Sequence, residues 1–304
     1  MTGNQKAAVI GSFVADALSL GVHWVYNTNV IDKKLGRVDR YYDPLTSYHK
    51  GKKAGDLTHY GDQMLVLLES LSNSDGFDGH AFADRWRLFF AGYQGYFDKA
   101  TTATLANMKQ GRDLTACGSN SDDLAGASRM APLVTVYGHD PDQLVHSARV
   151  QTSITHNHEQ VILSAEFFAR SVVAVLGGLA PGAAMAATVA AHFSNSPIAS
   201  LVSKGLESRD RDTREAIAEW GQMCSVEAAL PGTVHLISRY AGDFKTAMVE
   251  NVMAGGDSSA RGMMAGMILG AAHGMAAIPE SWVSGLKAGH RISRLVDSAT
   301  VVES

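Results

Sequence analysis

Residues 251–282 constrain the fold more than any other stretch of this chain. They contain Gly255-Gly256-Asp257-Ser258-Ser259-Ala260-Arg261, then glycines at 262, 266, 270 and 274, and close on Ile278-Pro279-Glu280-Ser281-Trp282. Two adjacent glycines permit backbone angles that side chains forbid, so a sharp turn can deliver Asp257 to the start of a helix. Glycines every four residues fall along one ridge of that helix, where a second helix can approach backbone to backbone. The expected core is therefore a close helix pair with a polar anion or metal site at one end.

Helical periodicity also dominates 64–71, 82–96, 161–176 and 213–223, while strand-like alternation is scarce. Turn signals punctuate these runs at 72–79, 138–142, 177–178, 194–197 and 231–232. With no repeat and no low-complexity linker, the chain reads as all-α, a single domain over 1–304 with ten or more helices. One long irregular segment is expected over 27–53, lying between two candidate site motifs. The residues after Arg294 read as a peripheral tail.

Composition narrows the function classes. A 304-residue chain that is 46% apolar can bury a large core. A net charge of −4 with no run of lysines or arginines argues against nucleic acid as a partner. Two cysteines, Cys117 and Cys224, are too few for a disulfide framework and suit a reducing, cytoplasmic compartment. The apolar runs at 171–193 and 263–278 are interrupted by Pro181 and His192 or are too short for a bilayer, so no membrane partner is expected. Asp16 and His23 break the N-terminal apolar stretch, which is not read as a signal peptide.

Four further strings carry polar chemistry. The first runs from Gly11 through Asp16 to His23, Trp24 and Tyr26; the two aromatics look like a pocket wall. The second is Gly55-Asp56-Leu57-Thr58-His59-Tyr60-Gly61-Asp62-Gln63, in which Asp62 is either a site carboxylate or a first-turn charge on the helix from Met64. The third, Gly118-Ser119-Asn120-Ser121-Asp122-Asp123, is a small-residue loop whose free N–H groups suit an anion, and whose acids either meet a ligand or cap the helix. In the fourth, Thr155-His156-Asn157-His158-Glu159, histidines spaced by two cannot share a helical face, which disfavours a helical zinc pair. There Thr155 is read as capping a helix from Glu159, with His156 in a structural hydrogen bond or at the substrate.

Taken in order from Gly11 to Trp282, these strings resemble the ADP-ribosylglycohydrolase family. The C-terminal string is similar to that family's Gly-Gly-Asp-Thr-Asp-Thr signature, with Ser259 and Ala260 at positions that hold metal there. His23 stands where typical members carry a Glu, and Tyr60-Gly61-Asp62-Gln63 is matched to the family's metal-binding Thr-Asp-Asp helix start. The resemblance implies an orthogonal helical bundle that cleaves an N- or O-glycosidic bond of an ADP-ribosyl or related ribosyl compound, free or attached to protein. It implies Asp16, His23, Asp62 and Asp257 at the reacting centre, with Asp62, Asp257 and Ser259 as ligands of a reduced Mg²⁺ or Mn²⁺ site. Substrate contacts would come from Trp24, His59, Ser119, Asn120, Asp122, Asp123, His156, Gly255, Gly256, Ser258 and Arg261, the last as a phosphate clamp. Because the family includes lens crystallins, a silent nucleotide-binding or structural protein is the alternative; a metal-independent glycosidase using His23 is another.

Overall fold

Thr2 accepts from the backbone of Gln5, and the Gln5 side chain accepts from the Thr2 backbone, a reciprocal cap that starts the helix Gly3–Ser19. From Ala7 onward every residue of that helix is buried, because its partner is the glycine-bearing helix Ser258–His273. A Cβ placed on Gly266 would lie 2.5 Å from the carbonyl oxygen of Gly11, and one on Gly11 would lie 2.5 Å from that of Gly266. The expected ridge is thus real, and the N-terminal helix is what it meets. Gly274 is not part of it: at φ +72° it ends the helix.

The computed structural model describes residues 1–72 and 74–299, which fold into seventeen α-helices and two 3-10 turns without a β-strand. Helices Glu159–Leu176, Val226–Arg239 and Phe244–Met253 surround the central pair, and one hydrophobic core runs from Ala7 to Ala299. Among the described residues, no helix is long and apolar enough to cross a membrane.

Several expected boundaries move, each for a local reason. Thr58 caps Tyr60 and Gly61, so the helix expected at 64–71 begins earlier, as His59–Leu71. The 82–96 helix is Gly79–Gly92, which leaves Tyr96 and Asp98 on the following segment to line the cleft described below, and the 213–223 helix is Thr213–Trp220, stopped by Gly221 at φ +97°. Residues 231–232 are no turn. They lie inside Val226–Arg239, where Pro231 and Gly232 are buried and tight packing outweighs one missing hydrogen bond. The segment 27–53 is not wholly irregular, since it holds the helix Thr28–Leu35 and the 3-10 turn Ser47–His49. Thr155 does not cap the following helix; it ends the preceding one, Pro141–Thr155. Beyond Arg294 the helix Gly289–Ser298 continues and buries Val296, whereas 300–304 lie outside the described residues.

Candidate active site

The glycine turn is held from three sides. Gly255 and Gly256 adopt φ +69° and +66°, and Gly256 exchanges hydrogen bonds with the 24–25 backbone: its N–H donates to the Val25 carbonyl and its carbonyl accepts from Trp24, each at 2.9 Å. The Asp257 N–H donates to Gln222, and the Asp257 side chain caps the next helix at Ala260. Beneath the turn lies Arg261, fully buried, donating to the Gly255 carbonyl at 2.5 Å and to Asn251 Oδ1 at 3.2 Å. Arg261 therefore braces the turn from the core rather than presenting its guanidinium to a phosphate. The Ser258 carbonyl accepts from Asn251 and Ser19, which fixes the first helical turn.

Asp16 joins three helices. It accepts the Thr58 N–H at 2.8 Å, the Thr58 hydroxyl at 2.5 Å and the Ser259 hydroxyl at 2.5 Å, all in a fully buried setting. Thr58, the cap of the helix His59–Leu71, is thus the residue of this string that meets Asp16 and Ser259. Asp62 instead accepts from Lys52 Nζ at 2.6 Å and Tyr93 Oη at 2.5 Å; burial raises its carboxyl pKa despite both partners. Asp62 belongs to neither of the groups of three or more His, Cys and acidic residues whose ligand atoms converge among the described residues, whereas Asp257 converges with Asp123 and Cys224.

Asp257 is the hub of the centre. Its Oδ1 lies 3.0 Å from His23 Nε2, and His23 Nδ1 lies 3.0 Å from His49 Nε2. The Tyr60 hydroxyl stands 3.3 Å from both Asp257 Oδ2 and Asp123 Oδ2. One chain of polar contacts therefore runs from Asp123 through Tyr60 and Asp257 to the two histidines. The two carboxyls are driven apart in acidity. Burial, reinforced by the charge of Asp257, raises Asp123 well above the ordinary carboxylate range. Burial also opposes ionisation of Asp257, but the hydrogen bond from His23 and the charge of Arg261 outweigh it and hold the group low. Burial lowers the pKa values of His23 and His49, which favours neutral rings.

Beside Asp123 opens a cleft of about 430 Å³, walled by Trp24, Tyr26, Tyr48 and Tyr96, with Asp98, Lys99 and Asp122 also on its surface. Trp24 holds φ +63°, the one non-glycine residue at positive φ among those described, and its ring lies against His23. Other expected contacts lie elsewhere. Ser119 bonds to Thr155 and Thr104, His156 approaches Arg129 at 3.1 Å in a buried network, and Asn120 is exposed. Sequence reasoning missed His49, Tyr60, Tyr96, Asp98 and Cys224. His49 fell within the segment flagged as a functional loop, and Asp98 precedes a helix as an ordinary cap.

The ADP-ribosylglycohydrolase family model matches residues 4–304. The chain belongs to this family. It is 28% identical over 299 residues to an uncharacterized protein of Archaeoglobus fulgidus, covering 93% of this chain and 91% of that protein. It is 24% identical to crystallin J1A of Tripedalia cystophora, covering 94% and 93% respectively. A solved structure titled ADP-ribosylglycohydrolase-related protein complex shares the fold at a TM-score of 0.76 and 24% identity, over 97% of this chain and 96% of that one.

ADP-ribosylglycohydrolases often bind divalent metals, and the donor set here can be tested against that habit. Hard cations such as Mg²⁺ need several anionic or carbonyl oxygens at once. In this family member Thr58 and Ser259 are engaged by Asp16, Asp62 by Lys52, and the acidic partner nearest Asp257 is Asp123, whose carboxyl favours its proton. Imidazole and phenol stand at the helix start instead. These residues do not fit a pair of hard cations.

Proposed function

We propose that the chain hydrolyses the glycosidic bond of an ADP-ribosyl or related ribosyl compound, with Asp123 as the acid. The observation that carries this reading is the placement of two carboxyls bridged by Tyr60, Asp123 at the cleft where burial favours its proton and Asp257 behind it where His23 and Arg261 favour its charge. Paired titratable groups pushed apart by their surroundings mark acid–base assignments. In the proposed step Asp123 gives its proton to the departing oxygen or nitrogen as the bond to the anomeric carbon breaks. Water forms the new C–O bond, and its proton returns to the Asp123 carboxylate, restoring the acid. Asp257 acts as a positioning residue: through Tyr60 and by its charge it keeps the Asp123 proton available. The aromatic walls suit stacking against a base or ribose, and Lys99 supplies a cation for a phosphate.

The test is hydrolysis of ADP-ribosylated substrates by the intact chain and by Asp123→Asn. Asparagine can still accept from the Ala125 N–H, which Asp123 does at 2.9 Å, so the fold is expected to survive. Turnover should fall about 10²- to 10⁴-fold, and undiminished turnover would remove Asp123 from the chemistry. A second reading, a silent binding protein, is favoured by the complete burial of Asp257 and His23 and by the crystallin relatives. ADP-ribose binding measured calorimetrically, with no turnover of any ribosyl substrate, would select it.

A further inference from the structure

Three imidazoles meet where oxygen ligands would have been expected. His23 follows the N-terminal helix, His49 ends the 3-10 turn Ser47–His49, and His59 opens the helix His59–Leu71. All three are buried, and one nitrogen from each lies within 4.8 Å of the other two. Their ring centroids are 5.1, 5.5 and 5.9 Å apart. Nitrogens bound at about 2.0–2.1 Å to one tetrahedral ion are separated by roughly 3.3 Å, so the three rings need only a small adjustment to share an ion.

Two independent features argue for a ligand at this cluster. His59 Nδ1 is buried without a hydrogen-bond partner, and His59 Nε2 meets only the Asp98 carboxylate, at 3.3 Å. Such groups are rare in folded proteins and costly to leave unpaired. Two of the rings also have a carboxylate on one nitrogen: Asp257 is 3.0 Å from His23 Nε2, and Asp98 is 3.3 Å from His59 Nε2. That arrangement of carboxylate behind imidazole fixes the ring and tautomer in histidine-ligated metal sites, and it leaves the Nδ1 atoms of His23 and His59 for a shared ligand.

We propose that His23, His49 and His59 bind one transition-metal ion of the zinc class. Neutral nitrogen donors select Zn²⁺, Co²⁺, Ni²⁺ or Cu²⁺ over Mg²⁺, and three histidines leave a fourth position for water or a ligand. Burial keeps His23 and His49 in the neutral form that such binding requires. The His23–His49 hydrogen bond is then exchanged for two bonds to the ion. The site stands whether or not the chain turns over a ribosyl compound, because its readout is metal binding itself.

The experiment uses the untagged full chain, stripped with chelator and titrated with Zn²⁺ calorimetrically and with Co²⁺ by visible absorption. The expected result is a single Zn²⁺ ion per chain, not displaced by excess Mg²⁺, and an intense four-coordinate Co²⁺ band. His49→Ala should weaken binding by at least roughly tenfold, while alanine at the exposed His80 should leave it unchanged. No Zn²⁺ binding by the wild type would overturn the proposal, as would a weak six-coordinate Co²⁺ spectrum or unchanged affinity in a folded His49→Ala. Should that variant fail to fold, the Co²⁺ spectrum of the wild type decides alone.

Discussion

The two ends of the helix Ser258–His273 are buried alike and built on opposite principles. At the Gly266–Gly270 end, backbone lies on backbone against the N-terminal helix, and the contact depends on the absence of side chains. At the Asp257–Arg261 end the contacts are specific polar ones: Ser259 meets Asp16, Arg261 meets Asn251 and Gly255, and Asp257 meets His23. One end is specified by shape and the other by hydrogen bonds, so the same degree of burial should give two different mutational signatures.

The largest effect is expected at the shape-specified end. Gly266→Val would drive a side chain into the Gly11 carbonyl, which as backbone cannot turn aside, and should destabilise by about 3 kcal/mol or more. Chemical denaturation measures this, and a variant within experimental error of wild type would erase the distinction between the ends. At the polar end Thr58→Val keeps the volume but removes a helix cap and one of the hydrogen bonds to buried Asp16; about 2–3 kcal/mol should be lost. Thr58→Ser should restore most of it, and equal loss in both variants would mean that the methyl group, not the hydroxyl, matters.

How much of this was legible in the sequence follows the same division. A contact specified by glycine spacing is written locally, so the ridge, the helical class and the Gly255–Asp257 turn could be read directly. A contact specified by hydrogen bonds depends on which distant groups converge. Asp62 has the right residue type in almost the right place, yet Lys52 and Tyr93 claim it. The helix start that bonds to Asp16 lies at Thr58, earlier than the matched string, and is followed by His59 and Tyr60 where a pattern match seeks carboxylates. His49 and Asp98 carry no motif at all; they enter the site only because a 3-10 turn and a cap happen to point there.

The smallest effect separates the ends by acid. His23 and His49 have lowered pKa values in the fold, while in the unfolded chain each titrates near 6.5. Their contribution is therefore present above about pH 6.5 and declines as the pH falls below it, because the unfolded state takes up the protons. The loss reaches up to roughly 1.4 kcal/mol per pH unit for each histidine. Denaturation midpoints at about pH 7 and about pH 6 should differ accordingly, His49→Gln should flatten the slope, and the Gly266→Val penalty should not change with pH. A stability profile equally steep in His49→Gln would place the acid sensitivity elsewhere.

The hydrogen bonds that assemble the centre join residues at opposite ends of the chain, 234 positions apart for His23 and Asp257 and 243 for Asp16 and Ser259. Contacts of such separation form late, after the loop-closure entropy between them has been overcome. During synthesis the N-terminal helix must therefore wait, with its inner face uncovered, for the glycine helix to emerge and dock. Until that moment the chain holds histidines, a tryptophan and an aspartate but no site, so the centre is assembled all at once, near the end of folding.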